Sequence, residues 1–401
     1  MNRLRVALLY NLQHPIIADP DVPSDVIAGQ DRLETVDAVA DALSGAGHTV
    51  IPLEADHSLL DTIRQVNPDI CFNMARGREG ADRASYVPAL LEMLHVPYTG
   101  SGVMSHAVSQ NKATAKRIWS DQGLPTASFQ VMHDESESLS PALRGVPLFV
   151  KPLYENASTG IGIDAIAWEE AQVRRQIAWI VESYHQPALV ERYLPGREFS
   201  VAILGNADSA GHSANARLIE SAGPVPGPEA SGRSGGAGSV AAHRPDHRHG
   251  YRTLPVLETV TMADLNAQHH RGAPSPEWGR EEHSQTQVCP ASVPDLAGAL
   301  QDLAVQAFEA VSAVDMARVD FRCDASGAPF LLEIDTLPTL DGNQSRFVRM
   351  AEAGGLSFAM LINAVLGLAA RRYRLDIGLP EKVAGEGSGI QGIEVTSMLS
   401  Y

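Results

Sequence analysis

Residues Arg318 to Asp335, RVDFRCDASGAPFLLEID, alternate polar and apolar side chains on either side of a Ser-Gly turn, which reads as a β-hairpin. In its first strand Val319, Phe321 and Cys323 alternate with Arg318, Asp320 and Arg322. In its second, Leu332 and Ile334 face one way and Glu333 and Asp335 the other. Closing the hairpin can bring Asp320, Glu333 and Asp335 onto one face. Carboxylates so close repel unless protonated or bridged by cations. Oxygen-only donors suit Mg²⁺, which keeps waters and binds substrate phosphates. A solvated polar face beside Arg318 and Arg322 explains the same pattern, and the hairpin alone does not choose.

Upstream, strand and helix patterns alternate: a strand at Arg5–Leu9, a helix around Asp31–Leu43, a strand near Thr49–Leu53, a helix near Ser58–Val66, a strand at Ile70–Phe72 and a helix at Tyr86–Leu94. This order predicts a parallel sheet flanked by helices, an α/β domain over residues 1–108. A second block, 109–195, carries a helix near Ala113–Asp121, a strand at Leu148–Val150, a helix near Trp168–Ile180 and a strand at Ala188–Glu191. A third, 196–373, holds strands at Phe199–Leu204 and Leu254–Val260, a helix at Asp295–Val311, the hairpin and a helix at Phe358–Ala370. Its Gly, Ala, Ser, Pro and His-rich stretch Asn206–Tyr251 reads as a disordered insertion, Asn266–Thr286 has little pattern, and 374–401 reads as a tail.

Acidic residues outnumber basic ones, 48 to 31, which disfavours a nucleic-acid partner. No apolar stretch reaches the ~18–20 residues that cross a bilayer. The N-terminal run MNRLRVALLY reads as a buried strand and not a signal peptide. Cys71, Cys289 and Cys323 stand far apart, without metal-ligand spacing, and suit a reducing cytoplasmic setting.

Lys151 ends an apolar run and precedes the small-residue loop Glu155–Gly160, which includes Ser158. Backbone N–H groups and an ammonium there form a plausible phosphate grip. Lys112, near a helix start, offers a second contact; most lysines, however, are simply surface residues. In ALVERYLPGREF, Glu191, Leu194 and Glu198 are placed to line a nucleotide pocket, or Glu198 forms a salt bridge with Arg197 or Arg192. His212, His243, His247, His249, His269, His270 and His283 have no regular zinc spacing and read as solvated.

Taken in order, PYTGSG (97–102), NK (111–112), FVKP (149–152), VERYLPGREF (190–199), ARVDF (317–321) and LLEIDTLP (331–338) resemble the ATP-grasp carboxylate–amine ligases, nearest the D-alanine–D-alanine ligases. The resemblance spans about Arg5 to Ala369. It implies a three-domain ATP-grasp fold with ATP between the last two domains. A carboxylate would attack the γ-phosphate to give an acyl phosphate, and an amine would displace phosphate. Lys112, Lys151 and Ser158 would bind phosphate. Glu191 and Leu194 would border adenine, and Glu198 would meet the ribose. Asp320, Glu333 and Asp335 would hold two Mg²⁺ (Mn²⁺ as an alternative), and Arg318 would stabilise the developing oxyanion. A homodimer is a further expectation.

The departures from the family pattern concern the amino-acid substrate. Tyr10–Pro15 replaces the Gly-Gly loop and the glutamate that grips the first D-alanine's ammonium. Asn156-Ala157-Ser158 replaces Gly-Ser-Ser, Asp335 replaces an Asn, Thr339 replaces a Gly, and the mobile-loop Tyr and Lys have no counterpart. The expectation is a ligase for small amino or carboxylic acids outside peptidoglycan synthesis. The rivals are a true D-alanine–D-alanine ligase and a catalytically silent nucleotide binder.

Overall fold

The computed structural model describes residues 3–12, 31–156, 159–206, 250–261, 284–288, 294–342 and 345–375. Three sheets organise them. In the first, β1 (Arg5–Tyr10) lies between β2 (Thr49–Glu54) and β3 (Ile70–Asn73), all parallel. The connections are α1 (Leu33–Gly45) and α2 (Leu59–Val66), and α3 (Tyr86–Met93) follows. This is the parallel α/β arrangement expected from the alternation. Central strand β1 is buried on both faces, which is why Val6–Leu9 reads as a continuous apolar run.

The short helices α4 (Val103–Gln110) and α5 (Lys112–Asp121) lead into a second sheet ordered β4-β7-β5-β6, from Phe129–Met132, Ala188–Arg192, Leu148–Pro152 and Ile166–Ala167. Its outer face packs on α6 (Glu170–Tyr184) through Val173, Ile177 and Ile180. Sequence periodicity missed α4 because Ser105, His106, Ser109 and Gln110 are polar yet buried, so the helix has no clear apolar stripe.

The third sheet runs β11-β10-β8-β12-β13, with β9 beside β8. Its strands are β8 (Glu198–Gly205), β9 (Tyr251–Thr253), β10 (Leu257–Thr261), β11 (Ser284–Val288), β12 (Asp315–Cys323) and β13 (Pro329–Asp335). Here β12 and β13 are the expected hairpin. Asp324 Oδ1 accepts from the Ser326 and Ala328 amides, and Gly327 takes φ +89°, so the Ser-Gly turn is locally encoded. Helix α7 (Pro294–Ala310) packs Leu300, Ala304, Ala307 and Phe308 on this sheet. Two more helices close the chain, α8 (Arg346–Ala353) and α9 (Phe358–Arg372). Helix α8 was also missed, although Ser345 caps it and Phe347, Val348 and Ala351 mark a buried stripe.

Helix α9 does not serve only its own sheet. Leu361, Ile362, Val365 and Leu366 share one core with Val6, Leu8, Val39 and Leu43 of the first domain. This helix is therefore packed against β1 and α1. Asp315, fully buried at φ +64°, ties this junction by accepting from Gly100 N–H (2.9 Å) and Arg372 Nη2 (2.7 Å).

Two boundaries change. Asn206 is buried and donates to Asp315 (3.1 Å), and Tyr251 packs edge-on against Phe308, so neither belongs to the insertion. Ser284–Val288, partly inside the low-pattern stretch, is β11, paired to β10. Residues 207–249, and the histidines singled out above, lie outside the described residues, as do Cys289 and 376–401. Cys71 and Cys323 are buried free thiols. Among the described residues no single helix is long and apolar enough to cross a membrane.

Because β8 and β9 pair antiparallel, with Gly205 opposite Tyr251, the ends flanking residues 207–249 already meet. Exchanging 207–249 for a short Gly-Ser linker should leave Tm within a few degrees, since loop-closure entropy changes slowly with length. A Tm drop of more than about 8 °C, roughly 7 kcal/mol for a chain this size, would show that the segment packs.

Candidate active site

The inner face of the second sheet carries a buried cluster of charge. Phe129, Phe149 and Glu191 are direct register partners on β4, β5 and β7, so they share a face, and Lys151 lies on it too. Helix α5 adds two lysines four residues apart. Asn111 caps the helix by accepting from Thr114 N–H (3.0 Å), which places Lys112 in its first turn and Lys116 one turn on. A cation there opposes the helix dipole, so packing and not helix stability fixes its position.

Glu191 bridges two of these lysines. Lys116 Nζ is 2.9 Å from one of its oxygens and Lys151 Nζ 2.8 Å from the other. Burial alone would push the Glu191 carboxyl up, but the two ammonium groups outweigh it and hold it down at about 2. Lys116 also donates to Thr126 Oγ1 (2.8 Å) and the Leu331 carbonyl (3.3 Å). Sequence reasoning missed Lys116; its spacing from Lys112 was the available signal, because residues four apart share a helix face.

The Glu191 arrangement has a pH consequence. Its folded value lies below the ordinary 4.5, so its contribution to stability is complete above about pH 4.5 and is lost as pH falls toward 2. Glu191→Gln should therefore be less stable than wild type at pH 7 but lose stability less steeply on acidification. Urea unfolding at a series of pH values checks this, and equal slopes would show that the lysines do not depress the carboxyl.

The hairpin supplies the opposite charge. Arg318 pairs with Asp335 and Asp320 with Glu333 in register, so all four side chains share one face. Asp320 is buried and accepts from Ser200 Oγ (2.6 Å) and Arg318 Nε (3.0 Å). Arg318 Nη1 stands 3.7 Å from Asp335. Burial would push the Asp320 carboxyl up, but Arg318 and Arg346 hold it low. Glu333 points toward the lysines, with Lys112 Nζ at 3.8 Å. The lysine cluster and the carboxylate face therefore meet. Among the described residues, no three His, Cys, Asp or Glu side chains stand at metal-binding spacing, because Arg318 lies between Asp320 and Asp335. The donor type and the shared face fit a hard divalent cation.

Leu194 is buried, and its carbonyl accepts from Arg322 Nε (2.6 Å). Glu198 pairs with Arg322 (3.1 Å) and Arg346 (3.2 Å), and not with the adjacent Arg197 or Arg192; Arg197 turns instead to Glu258. Glu198 and Arg322 face each other across the β8–β12 register, a long-range pairing that short-range sequence cannot show. Ser158 and Ala157 lie outside the described residues.

A family model described as the D-ala D-ala ligase C-terminus matches residues 118–222 and 277–367. The uncharacterized protein y4sG of Sinorhizobium fredii (strain NBRC 101917 / NGR234) is 33% identical over 349 residues, 84% of this chain and 88% of that one. The chain belongs to the D-alanine–D-alanine ligase-like ATP-grasp family. A D-alanine–D-alanine ligase of Pelotomaculum thermopropionicum is 28% identical over 352 residues, covering 84% of this chain and 91% of the relative. In fold, the Bacillus anthracis D-alanine–D-alanine ligase crystallised with ATP superposes with a TM-score of 0.62 at 16% identity, covering 92% of this chain and 99% of that one. Within this ATP-grasp frame the lysine cluster, on α5 and β5, meets the carboxylate face of the β12–β13 hairpin.

Proposed function

We propose that the protein is an ATP-dependent ligase that joins the carboxylate of one small acid to the amine of an amino acid or related molecule. The observation that carries this reading is the approach of Lys112 on α5 to Glu333 on β13, which brings a cationic cluster and a carboxylate face together. Phosphoryl transfer needs both signs of charge: cations for the phosphate oxygens and carboxylates for the metal that accompanies them.

Lys112 and Lys151, with backbone of the loop containing Ser158, hold the phosphates. Glu191 fixes Lys151, and with Leu194 it borders the base; Glu198 lies at the ribose end. Asp320, Glu333 and Asp335 would hold two Mg²⁺ ions, which neutralise phosphate charge when bound. The substrate carboxylate attacks the γ-phosphorus, ADP leaves, and an acyl phosphate remains. The amine nitrogen then attacks the acyl carbon, loses a proton, and phosphate departs. Arg318 supplies a fixed positive charge where the acyl oxygen becomes anionic. The setting is proposed to be cytoplasmic and outside cell-wall synthesis. Sequence relatives named as D-alanine–D-alanine ligases favour a second reading, with D-alanine as both substrates.

The two readings differ in specificity. The first-strand loop has no glutamate for an ammonium, and an ammonium buried without a charged partner costs several kcal/mol. D-alanine should therefore be at least ~100-fold poorer in kcat/KM than the true acid, about 2.7 kcal/mol of transition-state binding. The test is phosphate release from amino and carboxylic acids, singly and in pairs, with ATP and Mg²⁺, and mass spectrometry of the products. If D-alanine equals the best acid, the second reading holds. If no acid releases ADP, the ligase reading fails.

A further inference from the structure

A cavity of about 550 Å³ opens beside Asp335, between the loop after β3, helix α4, the loop after β5 and the end of α6. Resting on the ligase reading, we propose that Arg76 is the residue that holds the carboxylate of the acid substrate in this cavity, and so sets specificity by a cation where an anion would select an ammonium.

The charges of the cavity wall lead to Arg76 by their partners. Arg83 is paired with Glu155 at 2.9 Å, whose other oxygen accepts from Gln186 Nε2 (2.9 Å). Arg78 is paired with Glu54, away from the centre. Arg76 hydrogen-bonds through Nη2, which donates to the Leu337 carbonyl and stands 3.9 Å from Asp335; burial raises the Asp31 carboxyl, and the Arg76 charge acts to lower it. Its Nε and Nη1 have no acceptor among the described residues. A guanidinium carries five donors in a rigid fork matched to a carboxylate, and here most remain available. Its side chain is 14% exposed, so a carboxylate bound there leaves most of its water behind.

The backbone holds this guanidinium in place. Gly77 has φ +73°, and a Cβ at that position would lie 2.5 Å from the Arg83 carbonyl, so the turn admits only glycine. Gly77 N–H donates to Asn11 Oδ1 (2.9 Å), while Asn11 Nδ2 donates to the Ala55 carbonyl (2.9 Å). Asn11, in the loop that departs from the family pattern, is thus a clamp on the Arg76 turn. A preorganised cation loses little on binding and discriminates well. It stands beside Asp335, where the reacting carboxylate must come to meet the γ-phosphate.

The test is calorimetric binding of propionate, succinate, glutarate, D-alanine, L-alanine and L-glutamate to the full chain, with a non-hydrolysable ATP analogue and Mg²⁺. Propionamide is the neutral control. At least one acid should bind wild type and the amide should not. Arg76→Gln should weaken that acid at least ~30-fold and Arg76→Lys by less, with affinity for the ATP analogue unchanged. Thermal unfolding of both variants separates loss of the anchor from loss of the fold, and Arg76→Lys retains the charge if Arg76→Gln does not fold. Equal binding by wild type and a folded Arg76→Gln overturns the proposal, as does binding of none of the acids by wild type. Carboxylate binding that depends on Arg76, without ADP release by any acid, would keep this site and remove the ligase reading. ADP release with an unchanged acid KM in Arg76→Gln would do the reverse.

Discussion

Glu333→Gln should lower kcat by ~10²–10³-fold while leaving the protein folded, because it removes one carboxylate aimed at the charge that develops in phosphoryl transfer. Glu333 is the member of the hairpin face least involved in holding the fold. Its side chain is 22% exposed, and among the described residues the cation within 4 Å of it is Lys112, at 3.8 Å. Neutralising such a partly exposed pair changes stability by at most ~1 kcal/mol. Asp320, by contrast, is tied to Ser200 and Arg318, so its replacement confounds chemistry with folding. The measurement is kcat at saturating ATP and modest Mg²⁺, with Tm recorded alongside. Raising Mg²⁺ should recover part of the loss if the carboxylate acts as a ligand. Near-normal turnover in the folded variant would remove Glu333 from the site.

The largest stability effect is expected at Lys116. Its ammonium is fully buried, forms an ion pair with Glu191 and donates to Thr126 and the Leu331 carbonyl, so it joins α5, β7 and β13. Lys116→Met keeps much of the stem's packing but leaves one Glu191 oxygen buried without a partner. Breaking a buried pair in this way costs ~3–5 kcal/mol. The Leu331 carbonyl would still accept from Thr126 Oγ1 (3.1 Å), so the sheet contact would weaken without disappearing. Urea unfolding checks this through the midpoint at constant slope. A loss below ~1 kcal/mol would mean that Lys151 alone satisfies Glu191. The effect on ATP binding should follow, since Glu191 positions Lys151.

The hairpin was legible because its turn and most of its alternation are local, with Asp324, Ser326 and Gly327 fixing the turn; the register shift between Asp320 and Phe321 was not, and it puts Leu331 in place of Leu332 beside Ile334 in the core. The parallel first sheet was legible because buried strands and amphipathic helices have different periods. Helix α4 was not, because two of its buried polar residues find their partner far along the chain: His106 Nδ1 and Ser109 Oγ both meet Thr336 Oγ1 at 2.8 Å. The sequence by itself determined the kinds of charge available to the site and the strands that carry them. Only the tertiary structure decided how those charges pair. Glu191 meets Lys116 and Lys151, Glu198 meets Arg322 and Arg346, and Arg76 reaches Leu337, 261 residues away. Neighbours in sequence are poor guides to ion pairs, because a buried charge must find its partner wherever packing of the sheets brings one within reach, and desolvation penalises every arrangement that leaves it alone.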